Sequence, residues 1–231
     1  MIFPFEKSPL FPDPRQADAE GLVAYGGDLS PERLLSAYSQ GIFPWPQEKN
    51  DPLFWFSPDP RVVLLPHQIH IGRSLKKILK KAPFEIRCDT AFEAVMQACA
   101  KAKRKEDEGT WIIPKMIPAY CRLHRLGFAH SVEAWQDGTL VGGLYGISLG
   151  AAFFGESLFT QVSNASKIAL VTLLHQLQHW NFHFVDCQMR TNLVDSLGAI
   201  DWEREFFLDA LKKALEVPTR RGPWPSPICQ T

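Results

Sequence analysis

Asp186 and Gln188 stand two residues apart in the apolar run that ends Val185-Asp186-Cys187-Gln188, and Glu156 directly follows Phe153-Phe154-Gly155. Side chains alternate along a strand, so positions 186 and 188 share a face. Burying such polar groups without partners costs about 2–7 kcal/mol each on transfer scales. An acid–amide pair in this setting is therefore either a structural hydrogen-bond pair between strands or part of an active site. Cys187 points to the opposite face, into the core, which makes it a poor nucleophile. Ser157 lies in Gly155-Glu156-Ser157-Leu158-Phe159, which lacks the second glycine of a nucleophile elbow. His175, His179 and His183 recur every four residues. No glutamate follows the first as in a zinc protease, and no cysteine or carboxylate sits at ligand spacing, so they read as surface histidines.

Two further patterns bear on ligands. Arg73, Lys76, Lys77 and Lys80 recur at i, i+3, i+4 and i+7, with Lys81 beside them and no acid in the run. Leu75, Ile78 and Leu79 face elsewhere on the same predicted helix. Five cations on one face of a neutral chain favour a phosphate-binding patch over a solvated face. Trp45 and Trp111 are flat, amphipathic side chains in separate loops. They either sandwich a base or pack an interface. The glycines of Gly142-Gly143-Leu144-Tyr145-Gly146 are not a dinucleotide fingerprint, because no helix opens behind them. Within a strand they let another backbone or a ligand come close.

The elements that must position these groups follow from the rest of the chain. The first sixty or so residues hold more than half of the eighteen prolines. One helix is signalled there, with Ser30 as N-cap, Pro31 at the first position and an end near Gly41. Ser57-Pro58-Asp59-Pro60-Arg61 reads as a boundary between a small loop-rich domain, residues 1–61, and a larger one, residues 62–231. In the larger part, Val62–Leu65 reads as a buried strand, Ile71–Lys81 as the basic helix, and Phe84–Cys88 as a strand. Helices from Ala91 to Lys103 and from Pro114 to Gly127 follow, the first running into the charged loop Lys101–Glu108. A meander from His130 to Phe159 turns at Gln136-Asp137-Gly138. A helix capped by Ser163 or Asn164, a strand Phe182–Met189 and a final helix Trp202–Leu215 complete an α/β (α+β) sheet with helices on both faces.

Composition narrows the class further. The chain has 231 residues, 45% hydrophobic and 22% charged, with 25 Lys plus Arg against 25 Asp plus Glu. It carries no global field that draws it to nucleic acid, so any such contact is local. Its five cysteines (Cys88, Cys99, Cys121, Cys187 and Cys229) form no CxxC pair. Reduced thiols in a cytoplasmic protein are the expectation. No segment reads as a signal peptide or membrane span.

From about Gly21 onward the chain resembles the leucyl/phenylalanyl-tRNA–protein transferases. The resemblance rests on ordered blocks: Gly26-Gly27-Asp28-Leu29-Ser30, Gly41-Ile42-Phe43-Pro44-Trp45, Trp55-Phe56-Ser57-Pro58-Asp59-Pro60-Arg61 and Glu108-Gly109-Thr110-Trp111-Ile112. His130-Ser131-Val132-Glu133, Leu140 to Gly146, Gly155 to Phe159, Asn164-Ala165-Ser166-Lys167, Asp186-Cys187-Gln188 and Ser196-Leu197-Gly198-Ala199 continue it. It implies an N-terminal domain beside a catalytic domain with an acetyltransferase-like (GNAT-type) mixed sheet. It implies transfer of Leu or Phe from charged tRNA to an N-terminal Lys or Arg of a protein, marking that protein for degradation under the N-end rule. The reacting pair falls on Asp186 and Gln188, with Glu156 as companion. The terminal-adenosine platform falls on Trp45 and Trp111, and the tRNA-binding face on Arg73, Lys76, Lys77, Lys80 and Lys81. The aminoacyl pocket falls on Leu144, Phe153, Leu158, Leu170, Leu173 and Val185. Leucine stands at 144, 158 and 173 where the family carries aromatic residues or methionine, which bears on the Leu-versus-Phe preference.

On this reading no cofactor or metal takes part, since an aminoacyl ester is already activated. Holding a neutral amine near the ester carbonyl supplies about 7–11 kcal/mol in favourable cases. Gln188 would orient that amine, Asp186 would polarise Gln188 or take a proton, and Glu156 would bind the donor's ammonium or the acceptor's cationic side chain. An apolar pocket separates side chains differing by one methylene by only about 1–3 kcal/mol, so weak transfer of Met is expected. Two other classes compete: a CoA-dependent N-acetyltransferase, for which no Gly-rich pyrophosphate loop opens a helix, and a non-catalytic RNA-binding module, which leaves the acid–amide pair without a role.

Overall fold

The computed structural model describes residues 3–5, 10–46, 52–102 and 111–226. The charged run from Lys103 to Glu108, Gly109, Thr110 and Cys229 lie outside the described residues. The N-terminal part contains β1 (Phe3–Phe5), β2 (Leu22–Gly26), α1 (Pro31–Ser39), β3 (Phe43–Pro44) and β4 (Phe54–Phe56). Its strands form a small sheet in the order β1-β2-β4-β3. Helix α1 forms where its signals stand. Ser30 Oγ accepts the Arg33 N–H at 3.4 Å, Pro31 opens the first turn, and Gly41 turns the chain away at φ 72°.

The remainder holds β5 (Arg61–Leu64), α2 (Arg73–Lys81), β6 (Glu85–Cys88), α3 (Phe92–Lys101), α4 (Met116–Arg125), β7 (Ala129–Gln136), β8 (Thr139–Leu149) and β9 (Ala152–Thr160). It continues with α5 (Ala165–His179), β10 (Phe184–Gln188), α6 (Asn192–Ser196), β11 (Ile200–Trp202) and α7 (Arg204–Leu215). Seven strands form one sheet in the order β11-β5-β10-β9-β8-β7-β6. Only β9 and β10 run parallel; the other neighbours are antiparallel. Asp137 and Gly138 both take positive φ, 49° and 73°, the geometry a two-residue hairpin needs to match strand twist.

Two cores lie on opposite faces of this sheet. On one face α1, α3, α4 and α7 pack with the small sheet, so that Trp55, Tyr38, Met96, Tyr120, Phe154 and Phe207 belong to a single apolar cluster. On the other, α5 is buried nearly all round, with Leu75 of α2 and Trp224 beside it. Helices on both faces of a mixed sheet are the arrangement expected from the sequence. The strand glycines serve close packing. A Cβ on Gly142 would stand 2.5 Å from the Ala165 Cβ, and one on Gly146 2.6 Å from the Phe153 ring.

Local details differ from the sequence expectation. Asn164 occupies the N-cap of α5 in a left-handed conformation, φ 69°, and its side chain makes no capping hydrogen bond. Trp202 ends a strand and α7 begins at Arg204, while β11 and α6 have no counterpart in the sequence expectation. Both are short and half-exposed, too brief for a period to register.

Candidate active site

The acid and the amide sit where β10 stops being regular. Asp186 pairs with Val63 and Gln188 with Val62, so two residues of β10 oppose one of β5, a β-bulge. Gln188 takes φ 62°, a left-handed conformation uncommon for a residue other than glycine. Regular pairing therefore does not hold at this point. The bulge itself brings the backbone N–H of Gln188 back to Asp186 Oδ1 at 2.9 Å.

Asp186 is fully buried and its carboxylate is occupied on both oxygens. Arg61 donates Nε to Oδ1 at 2.8 Å and Nη2 to Oδ2 at 2.7 Å, a bidentate fork. The third guanidinium nitrogen donates to the Gly41 carbonyl at 3.0 Å. The rings of Phe43 and Phe207 lie 4.9 and 4.5 Å from the guanidinium carbon. This sandwich excludes water from a charge pair that breaking on one side would make very costly. Asp186 thus reaches Gln188 through its main chain, not through its amide.

The amide of Gln188 is held from the other direction. Its Nε2 donates to Glu156 Oε1 at 3.0 Å, Tyr120 donates its hydroxyl to Glu156 Oε2 at 3.2 Å, and the hydroxyls of Tyr120 and Tyr38 meet at 2.6 Å. All four side chains are buried, Glu156 at 7% and Gln188 at 8% exposure. Burial raises the Glu156 carboxyl to about 7. The charge of Asp186 adds to the rise, and hydrogen bonds from Tyr38, Gln188 and Tyr120 oppose it. Burial also pushes the Tyr38 and Tyr120 hydroxyls well above the usual phenol range, so both stay protonated donors. The result is one chain of contacts, Arg61–Asp186–Gln188–Glu156–Tyr120–Tyr38, joining β5, β10, β9, α4 and α1.

Of the other expected positions, Leu144, Phe153, Leu170, Leu173 and Val185 come together in the core under α5, each at 7% exposure or less. Leu158, the register partner of Leu144, stays 37% exposed. Trp45 and Trp111 are half-buried against the opposite core, Trp45 edge-on to Phe56 at 5.6 Å. Arg73, Lys76, Lys77, Lys80 and Lys81 are exposed on one face of α2, and Leu75, Ile78 and Leu79 pack inward. Among the described residues none of these five cations takes part in an ion pair.

Three members of the buried chain have no place among the site residues expected from the sequence. Arg61 carried a signal, a lone cation at the head of the apolar run Val62–Leu65, opposite a strand that holds an acid. Tyr38 and Tyr120 carried none, because each sits at a core position of an amphipathic helix.

Comparison with known proteins places this chain in a family. Residues 27–59 match the family model for the leucyl/phenylalanyl-tRNA protein transferase N-terminal domain, and residues 63–212 match that for leucyl/phenylalanyl-tRNA protein transferase. Relatives named leucyl/phenylalanyl-tRNA–protein transferase include one from Myxococcus xanthus, 53% identical over 219 residues (95% of this chain and 93% of the relative). One from Desulfatibacillum aliphaticivorans is 54% identical over 223 residues (96% and 95%), and one from Nitrosospira multiformis 55% identical over 217 residues (93% of each). With both family models matched in order and half or more of the residues shared with such relatives along nearly the whole chain, this protein belongs to the leucyl/phenylalanyl-tRNA–protein transferase family of aminoacyltransferases.

Proposed function

We propose that this chain moves Leu or Phe, and Met weakly, from aminoacyl-tRNA to the α-amine of an N-terminal Lys or Arg of an acceptor protein. The product carries a cytoplasmic degradation signal of the N-end rule. The observation that carries the reading is the buried hydrogen-bond chain that ends on the Gln188 amide. Because Nε2 is committed to Glu156, the amide oxygen is the end left to accept a hydrogen bond from an incoming amine. An amide is not a base, so its contribution is orientation, which in a desolvated site is worth several kcal/mol.

The step balances without a cofactor. The amine nitrogen attacks the ester carbonyl carbon, a C–N bond forms, and the C–O bond to the tRNA ribose breaks. The nitrogen gives up one proton and the departing ribose oxygen takes one. In this reading Asp186, already saturated by Arg61, acts as a positioning residue that holds the bulged backbone of Gln188. Glu156, ionised over part of its population near neutrality, offers a negative charge to a cationic group of donor or acceptor. Trp45 and Trp111 flank the terminal adenosine. The apolar group Leu144, Phe153, Leu158, Leu170, Leu173 and Val185 receives the donor side chain, and Arg73, Lys76, Lys77, Lys80 and Lys81 hold the acceptor-stem phosphates. Residues 1–61 and 62–231 divide this work as a supporting and a catalytic domain.

The test is transfer of labelled leucine from leucyl-tRNA to a peptide with N-terminal arginine, beside one with N-terminal alanine. Label on the arginine peptide alone is the expected result. Intact leucyl-tRNA with no labelled peptide contradicts the reading.

A further inference from the structure

Beyond α7 the chain continues as a strap without regular secondary structure, through residue 226 of the described chain. Thr219 Oγ1 accepts the Gly150 N–H at 2.8 Å, and the Arg221 guanidinium donates to the Leu126 carbonyl at 2.8 and 3.2 Å. Ser226 Oγ bonds both the N–H and the carbonyl of Cys88, at 2.6 and 3.1 Å. What this strap delivers is Trp224, 3% exposed. Its backbone N–H donates to Asp89 Oδ2 at 2.7 Å, and the same oxygen lies 2.8 Å from His130 Nδ1. The indole then stacks on His130, with ring centroids 3.8 Å apart and planes 8° from parallel.

That position puts Trp224 against Phe153, with ring centroids 5.8 Å apart and planes tilted by 40°. Phe153 lies where a side chain on Gly146 would be, and Gly146 is the register partner of His130. The Phe153 ring is therefore bounded by the bare Gly146 backbone and by the indole of Trp224. Phe153 is also a candidate wall of the aminoacyl pocket, one strand from Val185. Close-packed aromatic walls do not relax without cause, so whatever backs Phe153 sets how far that wall can retreat.

Resting on the proposed function, we infer that Trp224 is a specificity-determining residue, which backs Phe153 and so limits the size of the donor side chain. Trimming the indole lets Phe153 withdraw and deepens the pocket, which favours the longer phenylalanyl side chain over leucyl. A deletion that served only stability would lower transfer from both donors alike.

The experiment measures kcat/KM for leucyl-tRNA and phenylalanyl-tRNA with one arginine-terminated peptide, in the full chain and in Trp224→Phe, Trp224→Leu and Trp180→Leu. Trp180 meets Trp224 edge-on at 5.0 Å and serves as a packing control. The Phe-to-Leu ratio is expected to rise about tenfold in Trp224→Leu, the scale on which apolar pockets resolve small size differences. It is expected to rise less in Trp224→Phe and to stay constant in Trp180→Leu. Should Trp224→Leu fail to fold, the ratio in Trp224→Phe decides. An unchanged ratio in both Trp224 variants, or an equal rise in Trp180→Leu, overturns the assignment. A wild-type chain that transfers from neither donor overturns the proposed function, and this assignment with it.

Discussion

Around the candidate site, the two faces of the seven-stranded sheet bury their side chains on different principles. Toward α1, α4 and α7 the sheet buries Arg61, Asp186, Gln188, Glu156, Tyr120 and Tyr38 in one chain of hydrogen bonds. Toward α5 it buries Leu144, Phe153, Leu170, Leu173 and Val185, which have no polar atoms to satisfy. An apolar wall tolerates exchange of shape at modest cost. A buried polar chain does not, because removing one member leaves its partner desolvated and alone. On the proposed function, one face holds the reacting groups still and the other measures the side chain they act on.

The sharpest way to break that comparison is at Arg61. Arg61→Ala leaves the Asp186 charge buried without its fork and is expected to destabilise the fold by about 3–5 kcal/mol. Pairing it with Asp186→Leu should restore much of that stability in denaturant unfolding while transfer stays lost. Recovery of transfer in the double variant would show that the charge pair is dispensable to the site. On the apolar face, Leu173→Ala is expected to cost about 2–5 kcal/mol as a cavity. The retained transfer there should show an altered Leu-to-Phe preference, which paired single-substrate kinetics would detect. A smaller effect is expected outside both faces. Reversing Lys76 and Lys80 to Glu should remove two phosphate contacts and lower the salt slope of tRNA binding by roughly 1.4–1.8. An unchanged slope would leave α2 as a solvated surface.

The smallest effect is a pH dependence. The Glu156 carboxyl is raised in the fold to about 7, so between its ordinary value and 7 the folded state holds a proton that the unfolded state has lost. Stability from this group is therefore greatest at acidic pH and declines as pH rises through that window. Glu156→Gln should remove that decline from urea-unfolding curves compared across pH, and an identical pH profile in both proteins would contradict the assignment.

These elements also show what a sequence can disclose. Helix α5 and the close approach at the strand glycines were legible from pattern, whereas the pocket positions on that face came from the family resemblance alone. The basic face of α2 was legible as well, its cations and leucines separating as their spacing requires. Asp186, Gln188 and Glu156 stood out as polar residues in apolar runs. That Asp186 and Gln188 share a face was legible too; their contact was not, because a bulge and the left-handed Gln188 turn its backbone N–H, not its amide, to Asp186. Tyr38 and Tyr120 look like core residues until their hydroxyls are seen to meet, 82 positions apart in the chain. Local pattern reports burial well; it cannot report which buried groups from distant segments find each other.

The role of the Gln188 amide is tested by Gln188→Ala, assayed on one preparation for single-turnover transfer from leucyl-tRNA and for the Kd of that tRNA. Transfer is expected to fall by about 10²–10³-fold, the scale seen when one preorganised hydrogen-bonding group leaves an active site. The Kd should stay within about twofold if, as proposed, phosphate contacts elsewhere carry the binding. Equal losses in transfer and Kd, or full transfer without the amide, would contradict that role.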